Sequence, residues 1–143
     1  MTAVGDLYRA IVLEHGKRPR NVGRLPRATH AADGDNPLCG DALHVEVALD
    51  GDVLVALRFD GESCVLATAS ASLMTERLSG ATAAQARRVI DAMETLCTRG
   101  EGGLTGDEAA LGELRAFADV YRHPVRVGCA TLPWRTLKSA LGD

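Results

Sequence analysis

The chain has 143 residues, 46% apolar and 24% charged, which suits one globular domain and excludes a disordered segment. Sixteen Lys and Arg against nineteen Asp and Glu leave a net charge of −3, which argues against a general nucleic-acid binder. No apolar run approaches the ~18 residues of a membrane span and the N-terminus lacks a secretory pattern, so a cytoplasmic protein with no membrane attachment is expected.

Residues 4–15 set Leu7, Tyr8, Ile11 and Val12 at helical spacing, and Gly16 with Pro19 ends the run. The stretch 17–40 is rich in Pro, Gly, Asn and Asp and reads as irregular, with a short edge strand near 28–33. Residues 1–30 carry six basic and two acidic side chains, whereas residues 31–143 carry ten and seventeen. The basic group is Arg9, Lys17, Arg18, Arg20, Arg24 and Arg27, either a solvated loop or a docking patch for an acidic partner protein.

Two alternating segments follow. Leu43, Val45, Val47 and Leu49 share one face of a strand, and Val53, Val55, Leu57 and Phe59 share one face of the next. A two-residue turn at Asp50-Gly51 would split those faces. A three-residue loop over 50–52 is therefore expected, pairing Val47 with Val55 and Val45 with Leu57, and a bulge would serve the same end.

The remainder reads as helical. Residues 65–79 are rich in Ala and Ser, able to pack closely on the sheet, and stop at Gly80. Thr82 with Gln85 forms a capping box for a helix whose stripe is Ala86, Val89, Ile90, Met93, Leu96 and Cys97. Thr105 with Glu108 repeats the box ahead of a helix bearing Leu111, Leu114, Phe117 and Ala118. His123-Pro124 is expected to break it, with 125–127 extended and a last helix from about 130 to 141 carrying Ala130, Trp134, Leu137 and Leu141. The order gives an α+β fold in one domain spanning 1–143: a small antiparallel sheet of about three strands packed against four to five helices.

The chain has four cysteines, and in a reducing compartment they are thiols or metal ligands rather than disulfides. Cys97 lies on its helix's apolar stripe, where a free cysteine behaves as a small hydrophobe. Cys39 sits in a loop feeding the first strand, and Cys64 and Cys129 each just ahead of a helix, where unpaired N–H groups and the dipole favour thiolate. With Asp41 two residues beyond Cys39, they make a four-ligand set. The gaps of 25 and 65 residues contain no Cys-x-x-Cys pair, so spacing alone leaves metal ligands and ordinary loop or buried cysteines both open. Of the histidines, His15 ends the first helix, where a positive charge suits the dipole. His44 faces away from Leu43 and Val45, His30 and His123 lie in loops, and none is needed for the ligand set. Trp134 reads as a core anchor.

Leu7-Tyr8, Asn21 with Gly23, Asn36-Pro37-Leu38-Cys39-Gly40-Asp41, Gly61-Glu62-Ser63-Cys64, Ala69-Ser70-Ala71-Ser72 with Met74-Thr75, and Cys129-Ala130-Thr131-Leu132-Pro133-Trp134 occur in the order seen in the NifU/IscU-like family. The chain resembles that family over nearly its whole length. More narrowly it resembles the SufU-type branch, zinc-dependent sulfurtransferases of iron–sulfur cluster assembly. The 65-residue gap before Cys129 is longer than in the IscU branch, Gly128 stands where that branch has His, and the Leu-Pro-Pro-Val-Lys chaperone motif is missing.

The resemblance implies that Cys39, Asp41, Cys64 and Cys129 bind one Zn²⁺, a thiophilic ion taking S and O donors at about 2.0–2.3 Å. It implies a SufS-type cysteine desulfurase as partner, whose histidine replaces Cys39 on the zinc. Cys39 then accepts the persulfide sulfur for a downstream iron–sulfur assembly scaffold. Two alternatives use the same residues: a scaffold on which a labile 2Fe-2S cluster is assembled, and a domain whose zinc only holds the fold. Arg126, the cation nearest a ligand in sequence, offsets charge at the centre or is a solvated strand residue. Ser63 replaces the family's usual Gly, implying strain or a different turn if that position needs positive φ. Gly128 replaces the Lys often found in the SufU-type branch.

Overall fold

The computed structural model describes residues 3–104 and 111–142. In chain order it contains α1 (Ala3–Lys17), β1 (His30–Asn36), β2 (Asp41–Asp50), β3 (Val53–Glu62), α2 (Val65–Leu78), α3 (Ala83–Arg99) and α4 (Pro124–Leu141). Between α3 and α4 the described residues include the 3₁₀ segments Glu101–Gly103, Gly112–Phe117 and Val120–Arg122. The strands form one antiparallel sheet in the order β1-β2-β3, with helices around it, so the fold is α+β as expected. The Thr105–Glu108 capping box lies outside the described residues.

β2 is central and reads cleanly, with Leu43, Val45 and Val47 buried on the inner face. β1 is a full seven-residue strand starting at His30, later and longer than the expected piece at 28–33. Its inner positions Ala32 and Gly34 are small because α4 lies directly on them, and a Cβ at Gly34 would collide with Thr136 Oγ1. That absence of large apolar side chains hides the strand from periodicity. The free edge of β3 is covered from both ends: Phe59 N–H donates to the Asn21 carbonyl at 3.1 Å, and Leu54 N–H to the Ala81 carbonyl at 2.8 Å. These backbone bonds cap an edge that would otherwise be open to another chain.

The expected hairpin register is corrected by two residues. Val47 pairs with Leu57 and Val45 with Phe59, while Asp50 pairs with Val53 around a two-residue turn that uses Gly51 at φ +63°. The register shifts at Ala48/Leu49, so Val55 is a bulged residue on β3. It swings out and is 54% exposed, and Leu54 takes the inner position instead. The bulge restores inner-face pairing that a plain two-residue turn would have lost.

α2 is buried on nearly every side, and it packs on α1 and α4 as well as on β3. Its Ala and Ser residues let those helices approach closely. Ser70 ties α2 to α4, donating to the Ala130 carbonyl at 2.6 Å and accepting from Trp134 Nε1–H at 2.9 Å. Trp134 is thus the expected core anchor, 1% exposed, with its polar atom satisfied. The α3 capping box forms as read, and Ala86, Ile90, Met93, Leu96 and Cys97 are buried on its stripe.

Two helical expectations change. Leu111, Leu114 and Phe117 are buried as expected, but their segment is 3₁₀ rather than α. Residues 125–127 are not extended. Pro124 occupies the first position of α4, where its missing N–H costs nothing, and the helix begins there rather than near 130.

Candidate metal centre

Each candidate ligand is placed by a different piece of backbone. Asn36, the last residue of β1, pairs with Asp41, the first of β2. The Cys39 N–H donates to the Asn36 carbonyl at 3.1 Å, so Cys39 sits inside the tight turn joining the two strands. Cys64 is the N-cap of α2, and its sulfur accepts the Ala67 N–H at 3.4 Å. Cys64 therefore stands at the start of a helix, the placement expected from the sequence.

Cys129 departs from the sequence reading. It lies in the second turn of α4 rather than ahead of a helix, so the helix-end argument does not reach it. α4 instead lies across β1 and β2 and carries the Cys129 sulfur to 2.9 Å from the Cys39 sulfur. Ligand atoms of Cys39, Asp41 and Cys129 all fall within 4.8 Å of one another. Cys64 lies outside that trio but touches Asp41: its N–H donates to Oδ1 at 2.8 Å, and its Sγ lies 3.8 Å from Oδ2.

The donor chemistry fits a thiophilic dication. Asp41 is 2% exposed, and among the described residues no Lys or Arg pairs with it. Burial pushes the Cys129 thiol up, and hydrogen bonds with Cys39, Cys64 and Asp41 push it the same way. Sulfur donors with one carboxylate oxygen are the donor set a thiophilic dication such as Zn²⁺ takes. Cys97 stands apart, fully buried on α3, its thiol pushed up to about 12 by burial.

Arg126 is not drawn into the group. It stands exposed in the first turn of α4, along a groove of about 780 Å³ beside α1, and among the described residues no hydrogen bond or ion pair joins it to the four. Ser63 needs no left-handed backbone: among the described residues Asn21 is the only non-glycine with positive φ, and Gly61 takes the φ of +124° in this turn. Its hydroxyl lies 2.7 Å from Thr68 Oγ1 in the first turn of α2.

His15 also departs from its reading. It is 5% exposed, with Nδ1 2.7 Å from Ser72 Oγ, and burial lowers its pKa, with Arg20 adding to the effect. The imidazole is therefore bonded to α2 rather than free at the helix end, with its Nε2 3.6 Å from Glu76 Oε1. Part of the basic segment is internally paired, with Arg18 and Arg20 on Glu14 and Arg24 on Asp60 and Glu46. Asn36 was overlooked as a functional residue. It is buried, and its amide Nδ2–H points at Cys129 Sγ at 3.6 Å. Its sequence signal was its place at the head of the Asn36–Asp41 motif, which was read for Cys39 and Asp41 alone.

Comparison with known proteins places these residues in a wider setting. The NifU-like N terminal domain family matches residues 7–141. The zinc-dependent sulfurtransferase SufU of Bacillus subtilis is 35% identical over 138 residues, covering 94% of this chain and 89% of that one. The iron–sulfur cluster assembly scaffold protein IscU of Streptococcus pyogenes serotype M1 is 33% identical over 141 residues, covering 99% and 86%. A crystal structure from Fervidobacterium islandicum, described as an iron–sulfur cluster assembly scaffold for the SUF system, superposes with a TM-score of 0.83 at 32% identity, covering 92% and 93%. The chain belongs to the NifU-like N-terminal domain family.

Proposed function

We propose that this protein is a zinc-dependent sulfurtransferase of iron–sulfur cluster assembly, taking sulfur from a cysteine desulfurase in a reducing compartment. The observation that carries the reading is the convergence of Cys39, Asp41 and Cys129 within 4.8 Å, with Cys64 bonded to Asp41. These four residues would hold the ion, which when bound supplies charge that keeps the thiols ionised and caged.

The chain's own residues divide the work. Cys39 is the acceptor: it sits on a turn, is partly exposed, and follows Leu38, which is 81% exposed and open to a partner. Its thiolate attacks the outer sulfur of the desulfurase persulfide. An S–S bond forms to Cys39, the original S–S bond breaks, and the desulfurase cysteine leaves as thiolate. Asp41 fixes the N-cap of α2 through the Cys64 N–H, holding two candidate ligands in register. Cys129, 3% exposed, is inaccessible to a partner's persulfide.

A second reading, assembly of a labile 2Fe-2S cluster on the same residues, is favoured by the scaffold names of several relatives. Against it, the long segment before α4 and the missing chaperone motif resemble the SufU-type branch, and Gly128 stands where the IscU branch has His. The test is desulfurase turnover with zinc-loaded, iron-free protein beside its Cys39→Ser variant. Stimulation lost in the variant supports sulfur transfer. No stimulation by the zinc form sinks it, and cluster assembly with iron then becomes the reading to pursue.

A further inference from the structure

Three sulfurs meet at the candidate centre, and their hydrogen-bond surroundings differ. Cys64 Sγ accepts the Ala67 N–H at 3.4 Å and Cys129 Sγ accepts the Asn36 amide at 3.6 Å. Among the described residues no N–H reaches Cys39 Sγ, whose one bond is with the Cys129 thiol. An N–H donor withdraws electron density from a thiolate sulfur, which lowers its nucleophilicity and fixes its direction. Two sulfurs are restrained and one is not.

The Asn36 contact depends on the residue at position 128. A Cβ built on Gly128 would lie 2.9 Å from Asn36 Nδ2, closer than a side chain tolerates, so the amide would have to move. Gly128 has no positive φ, and glycine weakens a helix interior, so the backbone gives no reason for it. The packing does. Asn36 also closes the Cys39 turn through its carbonyl and pairs with Asp41, so one residue touches the placement of three candidate ligands.

Resting on the metal reading above, we infer that Asn36 is a positioning residue: its amide N–H, given room by Gly128, fixes Cys129 as a permanent ligand and leaves Cys39 as the exchangeable sulfur. The second half matters because the Cys39 and Cys129 sulfurs are 2.9 Å apart, close enough for a sulfur on one to pass to the other. A restrained, less nucleophilic Cys129 keeps the cargo on Cys39.

The experiment compares wild type with Asn36→Ala, Gly128→Ala and the double variant, in zinc-loaded and cobalt-substituted protein. Its readouts are the rate of zinc loss to a chelator and the sulfur-to-cobalt charge-transfer band. Gly128→Ala keeps the test open should Asn36→Ala fail to fold, because the displaced atom is the movable end of an amide. Each single variant is expected to speed zinc loss about tenfold or more, in line with losing an outer hydrogen bond to a ligand. Each should shift the cobalt band in the same direction. The double variant should go no further than the stronger single one, since both act on one contact. Additive effects, or Gly128→Ala matching wild type in both readouts, would overturn the role of Asn36 alone. Wild-type protein that takes up neither metal overturns the metal reading along with it.

Discussion

Cys39 and Cys129 are separated by 2.9 Å between sulfurs, while Cys97 is sealed inside α3 with its thiol pushed up to about 12. Thiolate, not thiol, does the chemistry of oxidation, and access decides which sulfur reacts. With metal stripped by a chelator, a mild oxidant should therefore link Cys39 to Cys129 within the chain. Peptide mapping should find that pair crosslinked and Cys97 still reduced; a disulfide through Cys97 would contradict the burial on which this rests. At this scale the candidate ligands were singled out by the family motifs, because spacing alone left ligands and ordinary cysteines both open. Asn36 was not, since a polar residue at a strand end reads as turn chemistry until the helix that covers it is in place. His15 shows the same limit: its burial comes from α2, contributed by residues more than fifty positions away, so its own neighbourhood says only that a helix is ending.

Two histidines tie elements together with opposite responses to pH. His15 joins α1 to α2 through Ser72, and burial lowers its pKa from the ordinary 6.5. The unfolded chain then binds more protons than the folded one, so this contribution is present above pH 6.5 and is lost as pH falls. His44 lies on the outer face of the sheet between Asp33 on β1, at 2.8 Å, and Glu46 on its own strand, at 2.9 Å. Hydrogen bonds to Asp33 and then Glu46 raise its pKa, so its contribution is full below 6.5 and fades as pH rises through the raised value. Relative to wild type, the destabilisation in His15→Gln should shrink on acidification, and that in His44→Gln should shrink on alkalinisation. Urea midpoints from about pH 5 to pH 8.5 measure both; a loss that does not vary with pH in either variant would remove that histidine from the account. Element types were mostly legible, because β2, α3 and their caps follow simple periodicity. The hairpin register was not, since the Val55 bulge is decided by which residue, Leu54 or Val55, finds room beneath the sheet. The start of α4 was misread because Pro124 serves equally as a helix breaker and as a helix's first residue.

Across the whole molecule, the candidate centre joins parts that the chain keeps far apart. Its residues come from the β1–β2 turn, the start of α2 and the second turn of α4, so an unfolded chain cannot present them together. A ligand that binds only the folded state stabilises it by mass action. Zinc at a hundredfold excess over its dissociation constant should therefore add about 2.7 kcal/mol to unfolding stability. Cys129→Ser should lose most of that gain while keeping its helix. Thermal or urea unfolding with and without zinc checks this, and an equal gain in the variant would exclude Cys129 from the ligand set. The fold class was legible from the order of segments; the closing of the site was not, because it depends on α4 lying across β1, whose small residues gave no periodic signal.

The 65 positions by which Cys129 follows Cys64 also impose an order in time. A ribosome adding about 5–20 residues per second would have made Cys39, Asp41 and Cys64 roughly 3–13 s before Cys129 existed. During that interval the nascent chain offers two thiols and a carboxylate and lacks the helix that covers the sheet. A centre built from these four residues therefore cannot close while its middle is still being translated, and metal capture would mark completion of the fold rather than begin it.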